Sequence, residues 1–515
     1  MTEFRPAAVV ILAAGEGTRM KSTTPKVLHR IGGRTLLGHA IAAARATRPT
    51  HLAVVVRHER DRVAAHIAEI DADALIADQD EIKGTGRATQ CALDHLPSDL
   101  AGTVLVTYGD VPLLTGETLA DLLANHRASG SAVTVMTAEP ADPTGYGRIV
   151  RDADGSVIGI VEHKDADAAQ RMIREINSGI YAFEAEVLRD ALARVGTDNA
   201  QGEKYLTDVL GVARSDGRRV SAYACTDVWQ TEGVNDRVQL ATLGRILNER
   251  QTTRWMREGV TIVDPATTWI DVDVTIGPDT RLEPGTQLLG ATTVGRDAVI
   301  GPEVTARDCE IGDRANVRRA ELHLAVVGPG ASVGPFSYLR PGTELGPGGK
   351  IGGFVETKNA RIAEGAKVPH LTYCGDATIG PGANIGAGTI FANYDGVAKH
   401  ETSIGAHSFI GSNSVIVAPV RVGDGAYVAA GTALVADVHP GQIAVGRGKQ
   451  RNIDGWVARA RAGTATAGAA AAIDRRVRSL LVLCPRAGPQ TVRFGRGQIS
   501  ALRASHVRRV VRGVD

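Results

Sequence analysis

At 515 residues the chain is long for one domain, and a prior of about 150 residues per domain predicts two to four folding units. Hydrophobic residues make up 43% and charged residues 22%, which excludes disorder over most of the length, and no uninterrupted apolar window is long enough to cross a bilayer. The net charge of +1 hides an asymmetry: residues 474–515 carry ten arginines and two aspartates, net +8, so the rest of the chain is net −7.

Glycine is abundant, 60 residues or about 12%, without the every-third-residue period of collagen, which predicts many tight turns. Cys91, Cys225, Cys309, Cys374 and Cys484 have no CxxC spacing and an odd count, so neither a disulfide framework nor a structural zinc site is expected. The opening MTEFRPAAVVILAAG has no small-residue cleavage site before glycine and charge interrupt it. A cytoplasmic protein with no membrane insertion is expected.

Residues 7–14 (AAVVILAA) enter a glycine-rich turn at Gly15, the pattern of a buried parallel strand followed by a phosphate-facing loop. Apolar runs at Leu52–Val56 and Val104–Thr107 alternate with helical-period stretches at Thr35–Ala44 and Thr118–Arg127, which predicts an open α/β sheet. In residues 237–257, Val238, Leu240, Leu243, Ile246 and Leu247 follow a helical period, so a linking helix is expected over 237–258.

From Ile276 an aliphatic residue recurs every six positions through Leu282, Leu288, Val294 and Ile300. The period reappears over Val327–Ile351, at Ile379 and Ile385, and from Ile404 through Ile410, Ile416, Val422, Val428 and Leu434. This is a hexapeptide repeat, which predicts a parallel β-helix over 259–456 with the aliphatic side chains stacked inside. The stretch FANYDGVAKHETS between 391 and 404 breaks the phase and predicts a loop excluded from the coil, where function tends to sit. Beyond Trp456 the hexads stop, and 457–515 is expected to be a flexible basic tail. Its arginines lack aromatic platforms or a nucleic-acid motif, so no specific nucleic-acid partner is expected.

Residues 12–20 read Leu-Ala-Ala-Gly-Glu-Gly-Thr-Arg-Met, followed by Thr24-Pro25-Lys26-Val27. Backbone N–H groups of such a turn, with Arg19 and Lys26, suit a triphosphate whose leaving pyrophosphate develops charge; a generic tight turn is the alternative. Gln79 precedes Gly84-Thr85-Gly86, Tyr108-Gly109-Asp110 closes a strand, and Gly145-Tyr146-Gly147-Arg148 precedes Glu162-His163-Lys164. Asp110 is either a helix cap or, with an oxygen from Asn235, a sparse Mg²⁺ site that leaves room for water and phosphate oxygens. In the repeat region three polar clusters depart from the aliphatic pattern: Arg340-Pro341-Gly342, Glu356-Thr357-Lys358 and His370-Leu371-Thr372-Tyr373. Arg340 and Lys358 suit a phosphate, and a neutral His370 suits removal of a proton from an amine attacking a thioester, although a solvated histidine is the commoner case.

The first constellation resembles the sugar-1-phosphate nucleotidyltransferase signature. Residues 7–456 as a whole resemble the bacterial bifunctional enzymes that acetylate glucosamine 1-phosphate with acetyl-CoA and then uridylylate the product with UTP, giving the UDP-N-acetylglucosamine used for cell-envelope precursors. The resemblance implies a Rossmann-like α/β nucleotidyltransferase domain over 1–236 and a left-handed β-helix acetyltransferase domain over 259–456. It implies Leu12, Ala13, Ala14, Gly15, Gln79, Gly84 and Thr85 around the uridine nucleotide, with Tyr108 and Gly109 beside Asp110. Arg19 and Lys26 are implied at its phosphates, Asp110 and Asn235 as Mg²⁺ ligands, and Gly147, Glu162 and Asn177 at the sugar of N-acetylglucosamine 1-phosphate. In the second half it implies Arg340, Lys358, Tyr373, Asn384, Asn393 and Tyr394 around the sugar phosphate and His370 as general base. Ala387, Ser412, Ala430 and Arg447 are implied to line an acetyl-CoA cleft in a homotrimer. The sequence departs from the family pattern at Arg57, where glycine is usual, at Arg87, where histidine is usual, and in the tail beyond about residue 460. A nucleotidyltransferase whose β-helix serves only assembly is the runner-up, opposed by His370, Lys358 and the 391–404 loop; a non-catalytic hexapeptide scaffold would leave Arg19, Lys26 and Asp110 as coincidence.

Overall fold

A computed structural model of the protein describes residues 5–199 and 201–482, with 474–482 as backbone alone. The described residues up to Arg447 form one compact unit and those from Gly448 a second.

The apolar runs of the N-terminal half become β1 (Ala8–Leu12), β2 (His51–Val56), β3 (Leu75–Asp78), β4 (Thr103–Tyr108) and β5 (Val133–Ala138), followed by β6 (Arg148–Arg151), β7 (Val157–Val161), β8 (Ile176–Glu184) and β9 (Val220–Ala224). The main path of the sheet runs β9-β5-β8-β4-β1-β2-β3, with β6 and β7 hanging from β8 as an antiparallel ribbon. β1 is parallel to both β2 and β4 and is buried at every position, because helices cover both faces of the sheet. Val10 packs with Leu188 and Leu206 on one face, Val9 and Ile11 with Leu37 and Leu122 on the other. The chain steps from β1 outward to β2 and β3, then back across to β4. That reversal leaves a crevice at the carboxyl ends of β1 and β4, where open α/β sheets hold ligands.

The helix Arg237–Arg257 starts at Asp236, whose side chain accepts from Gln239 N, and it serves both halves of the unit. Leu243, Ile246 and Leu247 pack with Met20, Ile31 and Leu36, while Trp255 joins the core of the repeat region. Val238, which the period places on the apolar face, is 75% exposed. Leu240, Leu243 and Leu247 share one stripe at three- and four-residue steps, and Val238 falls outside it.

Beyond the helix the strands described pair in parallel, and most coils contribute three short strands, as in Arg281–Leu282, Gln287–Leu289 and Thr293–Val294. The architecture is a parallel β-helix. One contiguous core runs from Trp255 through the hexad residues to Val438. Coils of 18 residues stack Leu282 on Ile300, but Val317 follows Ile300 after 17 and Val333 after a further 16. Those short coils account for the loss of phase between Ile300 and Val327. Ile385 stacks on Ile410 after 25 residues, so the seven extra residues are extruded as the loop around Tyr394–Lys399, which closes on itself through a bridge between those two residues.

The second unit, expected from sequence as a flexible basic tail, carries two helices among its described residues. Trp456–Ala460 and Ala465–Val482 are helices, the latter built on ATAGAAAA, where alanine supplies the highest intrinsic helix propensity. Residues 483–515, with seven of the ten tail arginines, lie outside the described residues.

Candidate active sites

At the carboxyl end of the N-terminal sheet a cavity of about 440 Å³ is lined by Leu12, Ala13, Ala14, Gly15, Lys26, Gln79, Gly84, Thr85, Tyr108 and Asp110. These residues come from the ends of β1, β3 and β4 and from the Lys26 turn, and strand order brings them together. Ala13 N donates to Val55 O at 2.9 Å and Gly109 N to Leu12 O at 2.9 Å, so the glycine-rich turn is tied to the ends of β2 and β4. Gly84 has φ +113°, and a Cβ there would collide with the Lys204 backbone, so the approach of the 199–207 segment requires glycine.

A second cavity of about 390 Å³ shares Thr85, Tyr108 and Glu203 with the first and is lined also by Glu162, Asn177 and Tyr181. Gly147 sits against it: Asn177 N donates to Gly147 O at 2.9 Å, and a Cβ on Gly147 would stand 3.4 Å from Glu162 Oε1. Burial raises the Glu162 carboxyl, with Asp165 and Asp208 adding to it. Burial likewise raises the Tyr108 phenol, with Asp110 adding to it.

Asp110 is ion-paired with Lys26, and Asn235 Oδ1 accepts from Arg19 Nη2 at 2.8 Å. Val234 N donates to Asp110 O at 2.9 Å and brings the Gly233–Asn235 turn beside the carboxylate. Two hard oxygen donors therefore lie on turns joined by that hydrogen bond, each held by a cationic side chain. One carboxylate and one amide oxygen fit a Mg²⁺ ion that keeps most of its waters. Among the described residues no group of three His, Cys, Asp or Glu is assembled as a metal cage.

Four side chains that the sequence reading did not assign complete this region. Tyr146 Oη donates to Glu232 Oε2 at 2.7 Å and so links the Gly145–Arg148 turn to the turn carrying Asn235. Arg148, 1% exposed, donates to Tyr146 O and braces that turn from behind. Glu203 lines both cavities. Tyr146 and Arg148 belong to the motif already singled out, whereas Glu232 and Glu203 carry no signal apart from their partners.

On the β-helix, Arg340, Lys358 and Tyr373 fall on three successive coils: Arg340 N donates to Thr357 O at 2.9 Å, and Lys358 is in register with Gly375. Arg340 Nη1 donates to Glu356 Oε1 at 2.9 Å. Asn393, 7% exposed, donates to Asp376 and, at 3.4 Å, to Tyr373 Oη, while Asn359 donates to the other Asp376 oxygen at 2.8 Å. Gly375 makes this cluster possible, because a Cβ there would collide with Tyr373 Oη and Asn393 Nδ2. Lys399, on the extruded loop and unassigned from sequence, stands beside Lys358 and with Arg340 holds the Lys358 ammonium below the ordinary lysine range. Tyr394 is exposed, and its hydroxyl donates to Gly396 O at 2.7 Å within the same loop.

His370 is exposed at a corner of the coil. Gly388 N donates to His370 O at 3.1 Å, Asn413 N to Ala387 O at 2.8 Å, and Gly431 N to Ser412 O at 2.9 Å, while Arg447 Nη1 donates to Ala430 O at 2.8 Å. His370, Ala387, Ser412, Ala430 and Arg447 thus form one ridge, one residue per coil. Asn384 is not brought to the basic cluster; it pairs with Lys367 and Phe409 on the adjoining face.

Residues 9–177 match the MobA-like NTP transferase domain, and residues 401–436 match the hexapeptide repeat of succinyl-transferase. The bifunctional protein GlmU of Micrococcus luteus is 59% identical over 481 residues, covering 91% of this chain and 97% of the relative. The chain belongs to the bifunctional GlmU family. The GlmU proteins of Pseudarthrobacter chlorophenolicus, 59% identical with 90% and 94% covered, and of Streptomyces avermitilis, 58% identical with 92% and 99% covered, agree. GlmU membership accounts for a nucleotidyltransferase sheet and a hexapeptide β-helix on one chain. Among the described residues no helix is long and apolar enough to cross a membrane.

Proposed function

We propose that the β-helix transfers acetyl from acetyl-CoA to glucosamine 1-phosphate, and that the N-terminal domain then transfers uridylyl from UTP to the resulting N-acetylglucosamine 1-phosphate with release of pyrophosphate. The observation that carries this reading is the convergence of two constellations that share no residue: one around adjoining cavities at Thr85, Tyr108 and Glu203, the other along the His370 ridge and the Arg340–Lys358 cluster.

In the first site the Gly15 turn receives the nucleotide, Arg19 and Lys26 neutralise its phosphates, and Gly147, Glu162 and Asn177 hold the sugar so that its phosphate oxygen faces the α-phosphorus. Asp110 and Asn235 would hold a Mg²⁺ ion, which supplies charge neutralisation for an in-line displacement. Lys26 and Arg19 then pass from these oxygens to the phosphates. In the second site Arg340, Lys358 and Lys399 hold the sugar phosphate, Asn393 and Tyr394 orient the sugar, and His370 accepts a proton from the amine as nitrogen attacks the thioester. Ala387, Ser412, Ala430 and Arg447 form one wall of the coenzyme cleft.

A homotrimer accounts for Asn384, which faces away from the basic cluster of its own chain and so serves a neighbour's. Exposed Phe336, Phe354 and Leu371 on successive corners beside His370 give such an assembly an apolar seam. The test is to assay both reactions separately. Asp110→Ala is expected to abolish uridylyl transfer and spare acetyl transfer, and His370→Ala to lower acetyl transfer about 10²–10⁴-fold and spare uridylyl transfer. Loss of both activities from either substitution in a folded protein contradicts two independent sites, and an active monomer in light scattering contradicts the shared cleft.

A further inference from the structure

Arg57 is the first residue past β2, and it lines the 440 Å³ cavity without belonging to any role assigned above. Its guanidinium makes no hydrogen bond or ion pair among the described residues. The neighbouring charges are committed elsewhere. Asp80, which feels the Arg57 charge, is bound by Arg87 through Nε at 2.9 Å and Nη2 at 2.5 Å and accepts from Ile82 N at 3.1 Å. Lys26 is on Asp110 and Arg19 on Asn235. A guanidinium carries five donors and no acceptor, so Arg57 offers a ligand in the cavity a set of donors that no protein acceptor among the described residues occupies.

Strand order fixes where along a bound nucleotide this donor stands. Asp110 follows β4, the glycine-rich turn follows β1, Arg57 follows β2 and Gln79 follows β3, in that sequence across the sheet. With adjacent strands about 4.8 Å apart, the end of β2 lies about 10 Å from that of β4, and β3 about 14 Å. Phosphates placed over Lys26 and Asp110 leave the nucleoside to extend over β2 and β3, so its base, not its triphosphate, reaches Arg57. Gln79 is already turned there: its Nε2 donates to Ile82 O at 3.0 Å and to Gly84 O at 3.3 Å, leaving Oε1 to accept.

We propose that Arg57 reads the nucleobase, donating to a carbonyl oxygen on the edge that faces Gln79. Arg57 and Gln79 then present a donor beside an acceptor. Uracil matches them with a carbonyl oxygen beside an N–H; cytosine presents a ring-nitrogen acceptor and an amino group, the reverse order. This inference rests on the uridylyltransferase reading and deepens it by assigning selectivity to a residue at a position where the family pattern has glycine.

The experiment compares wild type, Arg57→Gly and Arg57→Lys with UTP and CTP in the forward reaction and with pyrophosphate in the reverse, taking acetyl transfer as the control for folding. Arg57→Gly is expected to lower kcat/KM for UTP about tenfold and leave that for CTP unchanged, so the UTP:CTP preference falls by the same factor, with the KM for pyrophosphate unmoved. Arg57→Lys, which keeps the charge but loses the planar fork, retains only part of the preference. An unchanged UTP:CTP ratio in Arg57→Gly overturns the proposal. A raised KM for pyrophosphate with no change in base preference overturns it as well, by making Arg57 a phosphate contact. A wild-type chain without uridylyl transfer refutes the functional reading itself, a result distinct from an active enzyme whose base preference ignores Arg57.

Discussion

Tyr146 and Lys399 show how single side chains set the properties of residues that do the chemistry. The Tyr146 phenol is held protonated by burial and by Glu232, so it remains a hydrogen-bond donor across the neutral range. Tyr146→Phe cuts the link between the sugar turn and the Asn235 turn; we expect KM for N-acetylglucosamine 1-phosphate to rise about tenfold with a smaller fall in kcat, and Glu232→Gln, which keeps an oxygen acceptor, to lose less. Equal effects on both kinetic constants and on acetyl transfer would indicate a folding defect instead. At the other site Lys358 is lowered first by Lys399 and then by Arg340. A lysine so lowered gives up its proton at a lower pH, so affinity for the sugar phosphate falls on the alkaline side earlier than it would with an ordinary lysine. Lys399→Met is expected to raise KM for glucosamine 1-phosphate at neutral pH and to shift that alkaline rise to higher pH, as a pH profile of KM would show. The sequence announces Lys358 and Tyr146 by their place in unusual clusters. It is silent on Lys399, Glu232 and Asp376, because their importance lies in contacts made across many residues of chain.

The coil is the element through which the second site is built. Hexads make the architecture readable without a structure, since each aliphatic residue has one destination, the inside of the stack. They do not reveal that some coils have 16 or 17 residues, because a shortened corner shifts the count without changing the residue types. Neither do they reveal which polar residues share a face, since that depends on the accumulated count; Asn384 and Tyr373 look alike in sequence and lie on different faces. Phe391, fully buried beneath the extruded loop, anchors the strand Ile390–Ala392 that leads into Asn393. Phe391→Ala is expected to cost about 3–5 kcal/mol, measured by denaturant unfolding, with acetyl transfer falling before uridylyl transfer. Gly375→Ala must displace Tyr373 or Asn393 and is expected to depress acetyl transfer while leaving the unfolding midpoint of the N-terminal domain in place.

At the scale of the molecule, the described residues divide into a large unit ending at Arg447 and a smaller helical one, and each residue assigned here to a catalytic or binding role belongs to the first. Truncation after residue 462 removes the helix Ala465–Val482 and the arginine-rich end; we expect both activities and the oligomeric state to survive it, and any nucleic-acid binding by the full chain to be weak and lost as salt is raised. A large loss of acetyl transfer on truncation would place the tail at the coenzyme cleft.

The helix Arg237–Arg257 also gives the molecule an order of birth. Leu243, Ile246 and Leu247 find their partners in chain already synthesised, whereas Trp255 offers its ring to coils that do not yet exist. Each later coil pairs with the one made just before it. The solenoid can therefore grow as it leaves the ribosome, with Trp255 as its foundation and with only the newest edge exposed at any moment.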